Sequence, residues 1–290
     1  MIHESKPAKI KESFYCLGPS AVPSYLLDGK HPIIFDAGVY IFGEHYWRES
    51  LRLMGERRPE YLFLTHVHFD HCGAAGLLKR FMPGLKIAAS AEASDIIKKP
   101  SAIKLIKRLN AFDSDGKVHF EPFLVDRVLE DGEIVEVAQN LHVEIIKTPG
   151  HTRDMLSFYI PEYKILIPSE SVGVPGLGDY IFSEFLTDYH VYLDSLKKLA
   201  AYDVEILVLA HGYYYTGDDA RNYMPRAIEH TKRFREAIEK LLRNHGDDYD
   251  TIASIIKRDE YDPIDGDKQP QEAYLINLHA KIKAVQRIMN

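Results

Sequence analysis

The sequence predicts an α+β fold that ends in a helical region, and three observations carry this. Short apolar or alternating runs, broken by Gly, Pro and Asp, recur up to about residue 215. These runs follow one another more often than they alternate with helices, which favours antiparallel or mixed sheets with outer helices over a strict β-α-β array. Beyond that point only helical periodicity is left.

The elements follow in order. Residues 13–17, 24–27 and 33–35 read as short strands. Residues 44–54 read as a helix, with Trp47, Leu51 and Met54 at helical spacing. Residues 61–64 are a short apolar run, a buried strand. A helix over 73–81 and a strand over 85–88 follow, and Ser90 is the N-cap of a helix that begins at Ala91. Residues 100–111 present Ile103, Leu105, Ile106 and Leu109 on one helical face. Runs at 126–129, 134–137 and 143–146 are separated by Asp-Gly and Gln-Asn turns. Runs at 155–160 and 164–167 flank Pro161 as a hairpin. A helix at 189–200 precedes a strand at 205–209. Residues 218–242 carry Ala227, Ile228, Phe234, Ile238 and Leu241 on one face, and 251–256 and 273–288 read as two more helices joined by a polar loop. The expected domains are therefore 1–215, carrying the site, and 216–290, a helical appendage that packs on it and offers a lid or a dimer element.

Composition narrows the function. The chain has 290 residues, 46% hydrophobic and 27% charged, with a net charge of −7. No run of about 18 apolar residues marks a membrane span, and the start, MIHESKPAKIKESFY, has no apolar signal core. Two cysteines, Cys16 and Cys72, make no disulfide framework and fit a reducing compartment. The acidic balance argues against nucleic-acid binding, which needs a phosphate-neutralising surface. A cytoplasmic enzyme acting on a small molecule, with no nucleic-acid or membrane partner, is the expectation. A homodimer through the appendage is a further expectation, open on sequence alone.

The segment Thr65-His66-Val67-His68-Phe69-Asp70-His71 follows an apolar strand and puts three imidazoles and a carboxylate into six residues. Imidazoles crowded this closely are costly to bury without partners. A shared cation resolves that cost, because neutral imidazole and carboxylate are ordinary ligands of zinc and iron. Pro149-Gly150-His151, Ser169-Glu170 and Ala210-His211-Gly212 each follow a predicted strand as well. Cys72 reads as a small buried residue rather than a ligand. Tyr213 to Tyr215 read as packing residues or pocket lining, and residues 171–182 as a pocket-wall loop. The remaining histidines, His119 among them, lack clustered partners.

The HxHxDH run, the later Gly-His, a carboxylate after a strand and a final His-Gly resemble the signature of the metallo-β-lactamase superfamily. The Asp36-Ala37-Gly38 turn is similar to the turn which that family places beneath its metals. The THxHxDHCG core, the length and the helical extension look most like the quinolone-signal response thioesterase type. The resemblance implies a four-layer αββα sandwich holding two divalent metal ions, zinc, iron or manganese. It implies His66, His68 and His151 around the first metal and Asp70, His71 and His211 around the second. Glu170 would bridge them where the family carries Asp, and Asp70 would also act in catalysis by orienting the attacking hydroxide. Asp36 and Thr65 would support the ligands from behind.

The reaction implied is hydrolysis of an ester, thioester or phosphodiester by water that the metals acidify. Two alternatives remain: a metal-binding regulatory protein with weak turnover, which the Glu170 departure suggests, and a mononuclear iron sulfur dioxygenase. Flavin-linked oxygen reductases are set aside, because they usually carry Glu where this chain has His68. True β-lactamases generally carry Cys or Ser where it has Glu170. Glyoxalase II is a nearer relative in chemistry, but the basic residues of its glutathione site find no counterpart in the C-terminal region of this chain.

Overall fold

In the computed structural model the short apolar runs become strands of two seven-stranded sheets. Residues 1–111, 120–265 and 268–289 are described; His119 lies outside them. The chain divides into two compact units that interleave along the sequence. The first comprises Met1–Lys147, Asp154–Ser169 and Asp203–Arg221, and the second Thr148–Arg153, Glu170–Tyr202 and Asn222–Asn290.

Both large sheets belong to the first unit. One runs in the spatial order β2 (Ala8–Lys11), β3 (Phe14–Gly18), β4 (Ser24–Leu27), β5 (Ile33–Phe35), β6 (Tyr61–Phe63), β7 (Lys86–Ala89), β8 (Arg127–Val128). Its β5–β8 pairings are parallel and the rest antiparallel. The other runs β1 (Ile2–Glu4), β16 (Tyr213–Thr216), β15 (Ile206–Val208), β12 (Ile165–Ile167), β11 (Leu156–Ile160), β10 (Leu141–Lys147), β9 (Ile134–Ala138), parallel only between β12 and β15. Both sheets are mixed, as the order of the runs predicts.

Strand alternation sorts the side chains into two cores. Phe14, Ile33, Phe35 and Phe63 face the other sheet, where the Phe158 ring lies 5.3 Å from that of Phe35 and 5.6 Å from that of Phe63. Leu26, Ile34, Leu62 and Ile87 point the opposite way. They meet α1 (Gly43–Met54), α3 (Ala75–Phe81) and α5 (Pro100–Asn110) through Tyr46, Met54, Leu78 and Ile106. Each such side chain taken from water contributes about 1.5–3 kcal/mol, so the layer order helix, sheet, sheet in this unit follows from a period of two. Ser90 caps α4 (Ala91–Ile96) by accepting from the Ala93 N–H.

The second unit is mostly helical. It contains a short β13–β14 hairpin (Val174–Pro175, Ile181–Phe182), α6 (Tyr189–Leu199), most of α7 (Asp218–His245), α8 (Tyr249–Glu260) and α9 (Gln271–Met289). Asp188 and Asp248 cap α6 and α8 by accepting from Val191 and Thr251 N–H. The hairpin falls inside the segment read from sequence as a plain loop. Among the described residues no helix is long and apolar enough to cross a membrane.

Candidate metal centre

Strand β6 ends at Phe63, and the chain leaves the sheet carrying its histidines. His68 opens the one-turn helix α2 (Phe69–Cys72), whose first turn holds Asp70 and His71. The turn is tight: a side chain at Gly73 would run into the carbonyl of Phe69 and the Asn110 amide oxygen, which is why a glycine ends the motif. The structure brings five of the seven candidates together in the first unit. One ligand atom each of Asp70, His71 and His211 lie within 4.8 Å of one another, as do those of His66 and His68. His211 Nε2 is 3.7 Å from Asp70 Oδ2. The His66 ring lies 4.5 Å from that of His68 and 4.2 Å from that of His71.

Asp36 ties this loop to β5. It is buried, with a left-handed φ of 55°. Its Oδ1 accepts from the Thr65 N–H at 2.8 Å, and its Oδ2 accepts from the Thr65 hydroxyl and from His71 Nδ1, both at 2.8 Å. A carboxylate only accepts, so the one hydroxyl proton of Thr65 goes to Asp36. The Thr65 oxygen is then an acceptor 3.1 Å from His66 Nδ1. The Ala37 N–H donates to the His71 carbonyl at 2.7 Å and closes the turn onto the motif. His211 is held from another loop: its Nδ1 donates to the Ala21 carbonyl at 2.6 Å, and the Tyr46 hydroxyl steadies that loop through Val22 O at 2.6 Å.

The other two candidates, His151 and Glu170, belong to the second unit, and both are buried. His151 Nδ1 donates to the Glu184 carbonyl at 2.8 Å. The preceding Gly150 has φ +132°, and a Cβ there would collide with the backbone of Tyr192. Burial pushes the Tyr192 hydroxyl well above its ordinary range, so it stays protonated and donates to the Glu170 carbonyl at 3.1 Å.

These bonds test whether the donor set suits a cation. In His71, His211 and His151 the acceptor beside Nδ1 is a carboxylate or a carbonyl, so Nδ1 carries the proton and Nε2 keeps its lone pair. That is the tautomer a metal-binding imidazole needs, with the second nitrogen anchored. The residues fit divalent metal. Cys72 is fully buried in the helix-side core, and burial raises its thiol pKa well above the ordinary range. Tyr213 to Tyr215 lie in strand β16, where all three pair with β1, Tyr214 and Tyr215 also pair with β15, and Tyr215 is buried while Tyr213 is exposed.

Sequence reasoning passed over Asp154, Ala21, Glu184 and Tyr192. The Asp154 Oδ2 accepts from the Val67 N–H at 2.9 Å, between the first two histidines, and its carbonyl accepts from Ser90. A carboxylate three residues after His151 was a legible signal for it. The two carbonyl anchors carry none, since any residue type supplies a carbonyl.

The chain has relatives of known name. Hydroxyacylglutathione hydrolase GloC of Haemophilus influenzae is 31% identical over 165 residues, covering 56% of this chain and 73% of that protein. Glyoxylase B2 of Dictyostelium discoideum is 31% identical over 121 residues, covering 41% and 38%, and a hydroxyacylglutathione hydrolase of Chelativorans sp. is 28% identical over 163 residues, covering 56% and 51%. The chain thus spans about half or less of the last two. Among solved structures, ST1585 from Sulfolobus tokodaii aligns over 99% of this chain and 98% of its own, at a TM-score of 0.61 and 17% identity. A HARLDQ-motif variant of a metallo-beta-lactamase from Cronobacter sakazakii aligns over 82% and 97%, at 0.58 and 21%. At these identities the likeness is one of fold: α+β, with two mixed sheets and a C-terminal helical region. The family model described as Metallo-beta-lactamase superfamily matches residues 17–211, more than half of the sequence and all seven candidate ligands, and the chain accordingly belongs to the metallo-β-lactamase superfamily.

Proposed function

We propose that this chain is a dinuclear metal-dependent hydrolase that cleaves a thioester of a small molecule. His66, His68 and His151 would hold one cation; Asp70, His71 and His211 would hold the other, with Glu170 offering its carboxylate to both. The observation that carries this reading is the convergence of Asp70, His71 and His211 on one point, with the far nitrogen of each imidazole already committed. Two divalent cations supply Lewis acidity toward the scissile carbonyl and acidify water to a pKa near ~7.

The chain's own residues do the rest. Asp36 and Ala21 O fix two imidazoles as neutral Nδ1–H tautomers. Asp70 Oδ2 is an acceptor able to orient a water for attack on the carbonyl carbon. Water adds, the carbon–sulfur bond breaks, and the products are a carboxylic acid and a thiol. The thioester preference rests on the relatives named hydroxyacylglutathione hydrolase and on the likeness of the THxHxDHCG core to the quinolone-signal response thioesterase type. Glu170 is one methylene longer than the family's Asp, so its reach is the part of the site under most demand.

The test is elemental analysis of protein purified without added metal, followed by a panel of acyl thioesters with thiol release as the readout. About two equivalents of metal per chain and thioester turnover are expected. One equivalent of iron with oxygen uptake, or two equivalents without hydrolysis of any thioester, would refute the proposal.

A further inference from the structure

Helix α9 carries a lysine on its buried side. Lys281 is 2% exposed, and its Nζ donates to Glu184 Oε1 at 2.6 Å. Glu260 of α8 also acts on this ammonium electrostatically, and the Phe234 ring lies 5.8 Å away. An ammonium is costly to bury unless it is paired and hydrogen-bonded, so Lys281 is committed to Glu184.

Glu184 does a second job through its backbone. Its carbonyl accepts from His151 Nδ1 at 2.8 Å, and its N–H donates to the Tyr192 hydroxyl at 3.4 Å. That hydroxyl donates in turn to the Glu170 carbonyl. One residue therefore joins both proposed ligands of the second unit. The same helix grips the neighbouring backbone independently. Arg287 Nη2 donates to the Thr187 carbonyl at 2.6 Å, while the Thr187 N–H and hydroxyl donate to the carbonyl of Gly150, next to His151, at 3.0 and 2.9 Å.

We infer that Lys281 is a positioning residue for His151: through Glu184, the C-terminal helix sets the direction of the imidazole proposed to complete the first metal position. This inference rests on the dinuclear reading above. Without the ammonium, the Glu184 carboxylate loses its one close cationic partner among the described residues and keeps only His151 Nδ1, 4.0 Å from its Oε2, so its segment shifts toward water or the carboxylate displaces the carbonyl at Nδ1. His151 Nδ1 then loses a fixed acceptor, and Nε2 loses its direction. Losing an outer hydrogen-bond partner of this kind costs about 10–100-fold in metal affinity.

The test uses the full chain, with cobalt(II) alone as probe, chelator competition for affinity and visible absorption for ligand geometry. Lys281→Met keeps the stem and removes the charge. Arg287→Ala acts at an exposed position and spares the core. Lys281→Met is expected to lose about tenfold or more in affinity for one of the two equivalents, with an altered spectrum for that equivalent only. Arg287→Ala is expected to show a smaller loss in the same equivalent. Wild-type affinity and spectrum in Lys281→Met overturn the inference whatever its melting temperature, as does a loss shared equally by both equivalents, which marks a global structural role. If Lys281→Met does not fold, Glu184→Gln, which keeps the backbone carbonyl at His151 but removes the charge that holds Lys281, decides by the same two criteria. Uptake of a single equivalent by the wild type refutes the dinuclear reading instead, and the variants' effect on that equivalent still decides the role of Lys281.

Discussion

Replacing Asp36 by Asn changes one atom, and its cost can be worked from three hydrogen bonds. Asp36 Oδ1 accepts from the Thr65 N–H, and Oδ2 accepts from the Thr65 hydroxyl and His71 Nδ1, each at 2.8 Å. An amide has only one oxygen. If that oxygen takes the Oδ1 place, the amide N–H₂ faces the Thr65 hydroxyl, which can rotate, and His71 Nδ1–H, which cannot yield without moving its proton to Nε2. If it takes the Oδ2 place, the amide faces the backbone N–H of Thr65, which has no alternative direction. Either way one buried donor is set against another, at about 1–3 kcal/mol.

The first arrangement spends that energy on the metal. A proton on His71 Nε2 removes the lone pair a cation needs, and a lost outer partner costs about 10–100-fold in affinity, or ~1.4–2.7 kcal/mol. The second spends it on the fold, at about 2–4 °C of melting temperature per kcal/mol for a chain of this size class. The assay for Asp36→Asn is zinc competition against a chromophoric chelator, alongside thermal unfolding of the metal-free protein. The reasoning fails if the variant holds zinc with wild-type affinity and stoichiometry and its metal-free form melts with the wild type.

Three further outcomes are expected. Asp154→Ala leaves the Val67 N–H buried without its carboxylate; urea denaturation should show a loss of about 1–3 kcal/mol, with zinc uptake reduced. Gly150→Ala meets a positive φ and the backbone of Tyr192 together, so at least about 1–3 kcal/mol of conformational strain should appear in the same assay. Burial raises the Glu260 carboxyl above its ordinary 4.5, so the stability tied to its protonated form is complete below about 4.5 and lost as pH rises through the folded-state value. Relative to Glu260→Gln, the wild type should weaken as pH climbs, and a pH-independent difference between the two would refute this.

Most of this architecture was legible because its elements are local. Ser24–Leu27 and Ile33–Phe35 stand where the apolar runs stand, and Ser90 caps the helix its hydroxyl announces. The ligand loop was legible because three histidines in six residues after an apolar strand have few other uses. What stayed hidden depends on distant partners. Ile2–Glu4 carries no strand pattern of its own, and becomes a strand because Tyr213 to Tyr215 pair with it from the far end of the first unit. The same tyrosines read as packing residues because nothing near them in sequence announces an edge strand. Lys281 was invisible because a lysine in an amphipathic helix reads as a solvated stem, and its partner Glu184 lies in a loop 97 residues earlier.

The anchors behind the imidazoles are unequal, and that inequality sets the two proposed metal positions apart. His71 donates to a carboxylate, whereas His211 and His151 donate to backbone carbonyls. A charged acceptor makes a hydrogen bond roughly twice as strong as a neutral one, and it raises the basicity of the imidazole behind which it stands. His71 is then the strongest imidazole donor of these three, and it serves the position that also takes Asp70. The position completed by His151 relies on a carbonyl whose placement depends on the buried pair Lys281–Glu184. Graded removal of metal with a chelator should therefore empty the His151 position before the His71 position. Asp36→Asn, by weakening the stronger anchor, should narrow or reverse that order.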